Sequence, residues 1–569
     1  MSLTGALNIA RSGLAVSQAL LQTTGNNIAN ASDPNYTREV ASGTPAVGQQ
    51  VAPGIFIGNG VDLSGVRRQI DSALESRLRG SVSDSQAANT DKQWLGQLES
   101  AFNALGTSSL SAQESTFFNS WSNLANKPAD PGLRQVVLQN GDSLAQGFQQ
   151  LRTQLVGLQS SAGGSVKTLA GQADQLAQQI ADLNGQIVTS GGSSGGNNSL
   201  LDQRDAAIGQ LSQLINVQTI DQPNGVTNIY VGSQPLVLNA QNLGIGVKQT
   251  AASGTTTNGL VTYTPIFKNN NGAINATGGQ LGALVGVQKQ INSAVDDLDT
   301  QAHALIFELN KLHASGQGTT GFTSATASNT VADATVALNS PKTALKFIPT
   351  NGSFVVHVKQ KDTGLTTSTL VQVGLNGQPT DTTLNSLKTS LGAINGVNAT
   401  IAGGKLSIGS ANPKAEISFS QDSSGTLAAL GINNFYTGND ARNIAVNQTL
   451  VATPTLLAAA QNGDAGDNQT ARAIAALGST PVASLKGQSL TDQYQATINR
   501  IGTAASTANK EADAAQGITD TLTSQRSALS GVSLDEETVN LIRQQQAFQG
   551  AARLITTIDA MMASLFAIV

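Results

Sequence analysis

Cysteine is absent from the 569 residues. That excludes disulfide staples, thiolate nucleophiles and cysteine-based metal sites. Charge is scarce: 12% of residues are charged, against about 25% in an average protein. Aromatic residues make up only 4%. Lys and Arg number 31 against 36 Asp and Glu, a net charge of −5. No basic cluster exceeds Arg67-Arg68, which argues against nucleic acid as a partner. No apolar run approaches the roughly 18 residues of a membrane-spanning helix, so no membrane partner is expected. The first residues, MSLTGALNIARSGLAVSQALLQ, hold one basic residue, Arg11, and no apolar block of the kind in a cleaved secretory signal. That points to the cytoplasm, or to export without a cleaved signal. Low charge and absent cysteine suit an extracellular protein better than a cytosolic enzyme.

What is present is enough for packed cores, with 39% apolar residues. The length allows about three to five domains. Leu7, Leu14, Leu21 and Ile28 repeat every seven residues, with Ala10, Ser17 and Thr24 three positions on. This spacing predicts a helix with a coiled-coil seam. Ser32, Asp33 and Pro34 end it. Residues 40–66 read as hairpin or loop. Helical patterning covers 70–102, 110–126 and 131–189, broken at Lys127-Pro128 and Asp130-Pro131. The glycine-serine stretch 190–199 is a flexible loop. A helix follows at 200–214, β-like texture at 215–270, and another helix at 281–313. The stretch 322–435 reads as β-rich around one helix at 383–394. Helices are expected again at 455–477 and 489–528.

The last element, 534–569, opens with strong start signals. Ser533 and Glu536 fit a capping box. Asp535, Glu536 and Glu537 lie in the first turn, where the helix dipole favours acids. Leu541, Phe548, Ile555 and Met562 keep a seven-residue spacing, with Ile558 and Leu565 in the companion position. The fold class is therefore α+β and multidomain. Its expected parts are terminal coiled-coil helices at 1–39 and 532–569, a mainly helical body at 40–321 and 440–531 with a β subdomain near 215–270, and a β-rich domain at 322–439. Each terminal seam lacks a local partner; the two helices could pack together or on the body as an ordinary core, or mediate assembly with other subunits, which is the reading taken here. Isolated exposed helices are marginal in water, so the ends are expected to be disordered alone and ordered by assembly with other subunits.

No residue cluster suggests catalysis, a cofactor or a metal. His303, His313 and His357 read as packing or surface residues. GGSVKT at 163–168 lacks the Gly-Lys-Ser/Thr end of a phosphate loop, and Gly244-x-Gly246 lacks a third glycine. Asp202, Arg204 and Asp205 read as an exposed, salt-bridged helix face. The chain is not expected to be an enzyme.

The stretch TGNNIANASDPNYTREV at 24–40 resembles the N-terminal signature of bacterial flagellar rod, hook and hook-associated proteins. Asn26, Asn27, Ile28, Ala29, Asn30, Pro34, Tyr36 and Arg38 match it. Asn35 stands where glycine is usual; Asn tolerates positive φ, so the turn is expected to survive. The end signature of that family is similar to 531–566, with Asp535, Glu536, Glu537, Asn540, Leu541, Gln545, Gln546, Phe548 and Ala551 in place. The stretches 60–79, 200–217 and 462–477 look like the hook-associated protein 1 family, the first hook–filament junction proteins. The resemblance implies a subunit that joins hook to filament. The terminal helices would form the inner layer of a tube, and the β-rich domain would face outward. It implies assembly through Leu7, Leu14, Leu21, Asn26, Asn27, Ile28, Asn30, Tyr36, Arg38, Leu541, Gln545, Phe548, Ile555 and Met562. The implied partners are the hook protein, the second junction protein (hook-associated protein 3) and further copies in a short ring or tube. An export chaperone would hold Leu541, Phe548, Ile555, Ile558, Met562 and Leu565 in the cytoplasm. Export would use the flagellar type III route, without a cleaved signal, to the extracellular flagellum. Alternatives from the residues are another axial protein (hook or distal rod), or a surface adhesin or phage tail protein.

Overall fold

The computed structural model describes residues 3–102, 106, 109–191, 197–251, 260–464 and 466–567. The expected 190–199 loop and the end of the last helix fall partly outside them.

The two ends of the chain pack on each other. Helix α1 (Leu3–Ala29) lies against α12 (Leu534–Phe566). Each seam, without a partner nearby in the sequence, finds one at the opposite end of the chain. Ala10, Ser17 and Thr24 are buried, while Leu7, Leu14, Leu21 and Ile28 are half-buried. The small residues allow close approach, and the leucines flank the contact. On α12, Ile558 is buried; Leu541, Phe548, Ile555 and Met562 are half-buried. Gln545 and Leu565 are exposed, so these two lie outside the intramolecular seam.

Between the ends, β1 (Glu39–Pro45) pairs antiparallel with β4 (Val61–Arg68), and β2 (Gln49–Ala52) with β3 (Ile55–Ile57). The helical body follows: α2 (Ser72–Phe102), α3 (Leu110–Asn126), α4 (Pro131–Thr189) and α5 (Asn198–Leu214). The α3–α4 break is set by local chemistry. Asp130 caps Gly132 and Leu133 N–H, and Pro131 sits at the first helical position, where no N–H is needed. A small sheet, β5 (Gln218–Asp221), β6 (Thr227–Val231), β7 (Gln234–Leu238) and β8 (Gln241–Asn242), packs on α4. The pair β9 (Ile245–Ala251) and β10 (Val261–Phe267) does the same. Helix α6 (Gly279–Ala314) lies against α4 and α2.

The middle of the chain is β-rich, with β11 (Ser324–Thr326), β12 (Gly352–Gln360), β13 (Thr366–Val373), α7 (Leu384–Gly392), β14 (Val397–Ala402), β15 (Lys405–Ser410) and β16 (Ala415–Ser420). They form two three-stranded sheets, ordered β13-β12-β16 and β11-β15-β14. Short elements lead back to the body: α8 (Thr426–Leu430), β17 (Tyr436–Thr437), β18 (Ala445–Val446) and α9 (Gln448–Ala452). An aromatic hub joins this return to the helices. The Phe435 ring centroid lies 5.6 Å from both Phe117 and Trp121, and Tyr436 Oη donates to the Gly141 carbonyl at 3.0 Å.

Two helices complete the body, α10 (Gln469–Leu477) and α11 (Leu490–Ser530). The helix expected from 455 is corrected here: apart from a single turn at Pro454–Leu456, it starts at Gln469. Ala460 pairs instead with Gln317 as an isolated bridge. The buried Arg134 guanidinium takes the Leu457 carbonyl at 2.5 Å and the Pro128 carbonyl at 2.6 Å. Tertiary partners there replace the helical ladder.

Candidate functional site

The N-terminal signature folds into a polar clasp where α1 ends. The chain turns after Ala29, and the first residue of the next strand, Glu39, needs partners for its backbone N–H and carbonyl. Asn27 supplies them. Its amide Nδ2 donates to the Glu39 carbonyl at 2.9 Å and to Glu537 Oε2 at 3.1 Å. Its Oδ1 accepts from Tyr36 Oη at 2.8 Å and from Glu39 N at 3.0 Å. One buried amide thereby links α1, the turn, β1 and α12.

Arg38 closes the clasp from the other side. Its Nη2 lies 2.7 Å from Glu537 Oε1, and Nη1 lies 2.9 Å from Glu536. Its backbone N–H donates to the carbonyl of Ser530 at 2.9 Å, so the α11–α12 corner is held as well. Glu537 is 2% exposed. A buried carboxylate at such a site requires paired donors, and Arg38 and Asn27 provide them. Burial, then the charges of Glu39, Asp202 and Glu537, push the Tyr36 hydroxyl far above its ordinary value, so it stays protonated and donates.

Asn26 and Asn30 sit at the rim. Asn30 Nδ2 bonds back to Asn26 O and Oδ1 at 2.9 and 3.0 Å. Asn26 Nδ2 reaches Tyr36 Oη and Glu39, both at 3.3 Å. Asn35 is not among the described residues with positive φ. The turn survives differently than expected: Asp33 Oδ1 accepts Asn35 N–H at 2.9 Å.

A second ion cluster ties the clasp to the body. Asp202 on α5 accepts Thr37 N–H at 3.3 Å and pairs with Arg68 at 2.9 Å; Arg68 also pairs with Asp205 at 2.7 Å. Burial pushes Asp202 up; at Arg68 burial works downward, but the two carboxylates outweigh it and the guanidinium is raised. This corrects the reading of an exposed helix face. Asp202 and Arg204 are buried, and Arg204 donates to the Gly225 carbonyl at 2.7 Å. A cleft of about 270 Å³ lies beside the cluster, lined in part by Asn35, Thr37, Glu75, Arg79, Asp205 and Arg526.

Of the signature positions, Asn26, Asn27, Tyr36 and Arg38 converge here. Leu7, Leu14, Leu21, Ile28, Leu541, Phe548, Ile555 and Met562 are all partly buried on the two helices that pack together. The candidate set omitted Glu537, Glu39, Arg68 and Asp202. Arg38 and the acid run at Asp535–Glu537 each stand out in the sequence, but only the fold sets them opposite each other. The histidines pack: His313 is wholly buried between the Asn433 carbonyl at 2.7 Å and Ala458 N–H at 3.0 Å, and burial lowers it to about 4.

Residues 95–326 match the family described as the flagellar hook-associated protein FlgK helical domain. Residues 523–568 match the flagellar basal body rod FlgEFG protein C-terminal family. Flagellar hook-associated protein 1 of Escherichia coli (strain K12) is 27% identical over 98% of this chain and 98% of its own. The protein of the same name from Bacillus subtilis (strain 168) is 24% identical over 98% of this chain and 96% of its own. The flagellar hook junction protein FlgK from Burkholderia pseudomallei superimposes at a TM-score of 0.49, with 18% identity, over 80% of this chain and 100% of that chain.

Proposed function

The chain belongs to the flagellar hook-associated protein 1 family, and from that premise we propose how it works as a structural subunit at the hook–filament junction. The observation that carries the proposal is the clasp. It gathers both chain ends and the α11–α12 corner into one unit whose large seam residues are only partly buried. A pair of helices left half-covered gains by packing against the same pair in neighbouring copies. The terminal pair forms the inner layer, the helices from α2 to α6 with α10 and α11 form the next, and 322–439 faces outward. Copies assemble as a short ring or tube between the hook protein below and hook-associated protein 3 above.

The apolar α12 face also needs cover before assembly. A cytoplasmic chaperone holds Leu541, Phe548, Ile555, Ile558, Met562 and Leu565 until type III export, which uses no cleaved signal. Exposed apolar segments of an unassembled chain otherwise aggregate.

Electron microscopy of hooks isolated from a strain lacking this gene, mixed with purified protein, tests the reading. The expected result is a short cap at the distal hook end alone, which then accepts filament growth. Long self-made tubes would favour a hook or filament subunit, and absence of binding would overturn the junction reading.

A further inference from the structure

The β2–β3 hairpin presents a bare apolar tip, with Phe56 66% exposed and Ile55 57%, and Val47 in the link leading into it is 89% exposed. The α12 helix presents a second bare patch, Leu554, Met561 and Leu565, at 43–55% exposure. Both stretches avoid charge. No charged residue falls between Val40 and Val61, and only Asp559 falls between Leu554 and Phe566.

The base of the hairpin lies at the level of the terminal layer where the α12 patch begins. The clasp fixes Asn27 beside Glu537, and α1 and α12 run antiparallel from there. Eighteen residues on, at about 1.5 Å each, Ile9 on α1 is level with Ile555 on α12. Strand β1 descends the same helix in step: Glu39 meets Asn27, Gly43 meets Val16, and Gly60 at the base of the tip meets Ile9 and Ser12. Gly60 has φ +102, and a Cβ there would sit 2.2 Å from Ser12 Oγ, so the strand pair hugs α1 at this point. The tip therefore starts at the level where the bare α12 patch begins. The hairpin side of α1 (Ile9, Ser12, Val16) and its heptad side are about 130° apart around the helix. A single copy thus carries the tip on one flank and the bare patch on another.

We propose that the hairpin tip of one copy docks on the Leu554–Met561–Leu565 face of α12 in the adjacent copy. This rests on the reading that copies assemble side by side through their terminal layer. Two different patches, one rising from the level where the other begins, make a head-to-tail contact, which closes into a ring when the rotation between copies allows. The hairpin then acts as the lateral strut of the inner layer, separate from the heptad seam within each copy.

The absence of cysteine makes the test direct. Full-length Phe56→Cys and Leu565→Cys proteins are mixed, allowed to cap isolated hooks, and treated with a short bismaleimide. A cross-linked dimer on hooks is expected. In parallel, Phe56→Asp, whose exposed site leaves the monomer's melting unchanged, is expected to weaken capping about tenfold or more. Capped hooks with no dimer, together with full capping by Phe56→Asp, would overturn the inference and leave the junction function standing. Bare hooks with the unsubstituted chain would instead overturn the function reading on which it rests.

Discussion

Asn27 uses both amide donors and both carbonyl lone pairs, the full capacity of an asparagine side chain. No other neutral side chain of that length offers the same set. The need for asparagine there could not be read from periodicity; the partners come from residues 36, 39 and 537, brought together only by the fold. Arg38 was legible as a signature residue, but its pairing with Glu537 was not. The same holds for Asp202, whose sequence context suggests a wet helix face but whose partners are Arg68 and Thr37. Glu114 adds a residue-scale prediction. Burial raises its pKa to about 7 from 4.5. Between those values the unfolded chain has released a proton that the native chain keeps, so stability falls as pH rises through that window. The contribution is complete below about pH 4.5 and lost above about pH 7. Glu114→Gln is neutral throughout, so its Tm between those limits should fall less with rising pH than that of the unsubstituted protein. Parallel Tm–pH curves would contradict this. His313, lowered by burial to about 4, works with the opposite sign, costing stability as pH falls below 6.5, and cancels in the comparison.

At the scale of elements, glycines in the 59-residue α4 divide by what surrounds them. A Cβ on Gly163 would lie 2.3 Å from Tyr263 Cδ2, inside the packed face against β10. One on Gly164 would meet nothing within 4 Å. Helix propensity favours alanine at both by about 1 kcal/mol. Gly164→Ala is therefore expected to raise Tm, and Gly163→Ala to lower it because the ring must move. Thermal unfolding of both variants checks the pair; equal signs would contradict the packing argument. Long helices with caps and prolines at their ends were readable from sequence, because those signals are local. The stretch 457–468 was not. Its apolar spacing looks helical, but Gln317 and Arg134 capture its backbone from distant positions.

For the whole molecule, the terminal pair closes the chain on itself through the clasp and keeps the large residues of its seam only partly buried. The heptads announced that seam, but heptad spacing names no partner. Here α1 and α12 are each other's partner, and the proposed second partner is the same pair in a neighbouring copy. The central claim is that the terminal layer is the surface through which copies assemble. Amide hydrogen exchange of the protein free and bound to hooks tests it most directly. Strong new protection in α1, α12 and the hairpin on hooks, with residues 322–439 unchanged, is the predicted result. New protection confined to 322–439, with the terminal helices exchanging equally in both states, would contradict the account.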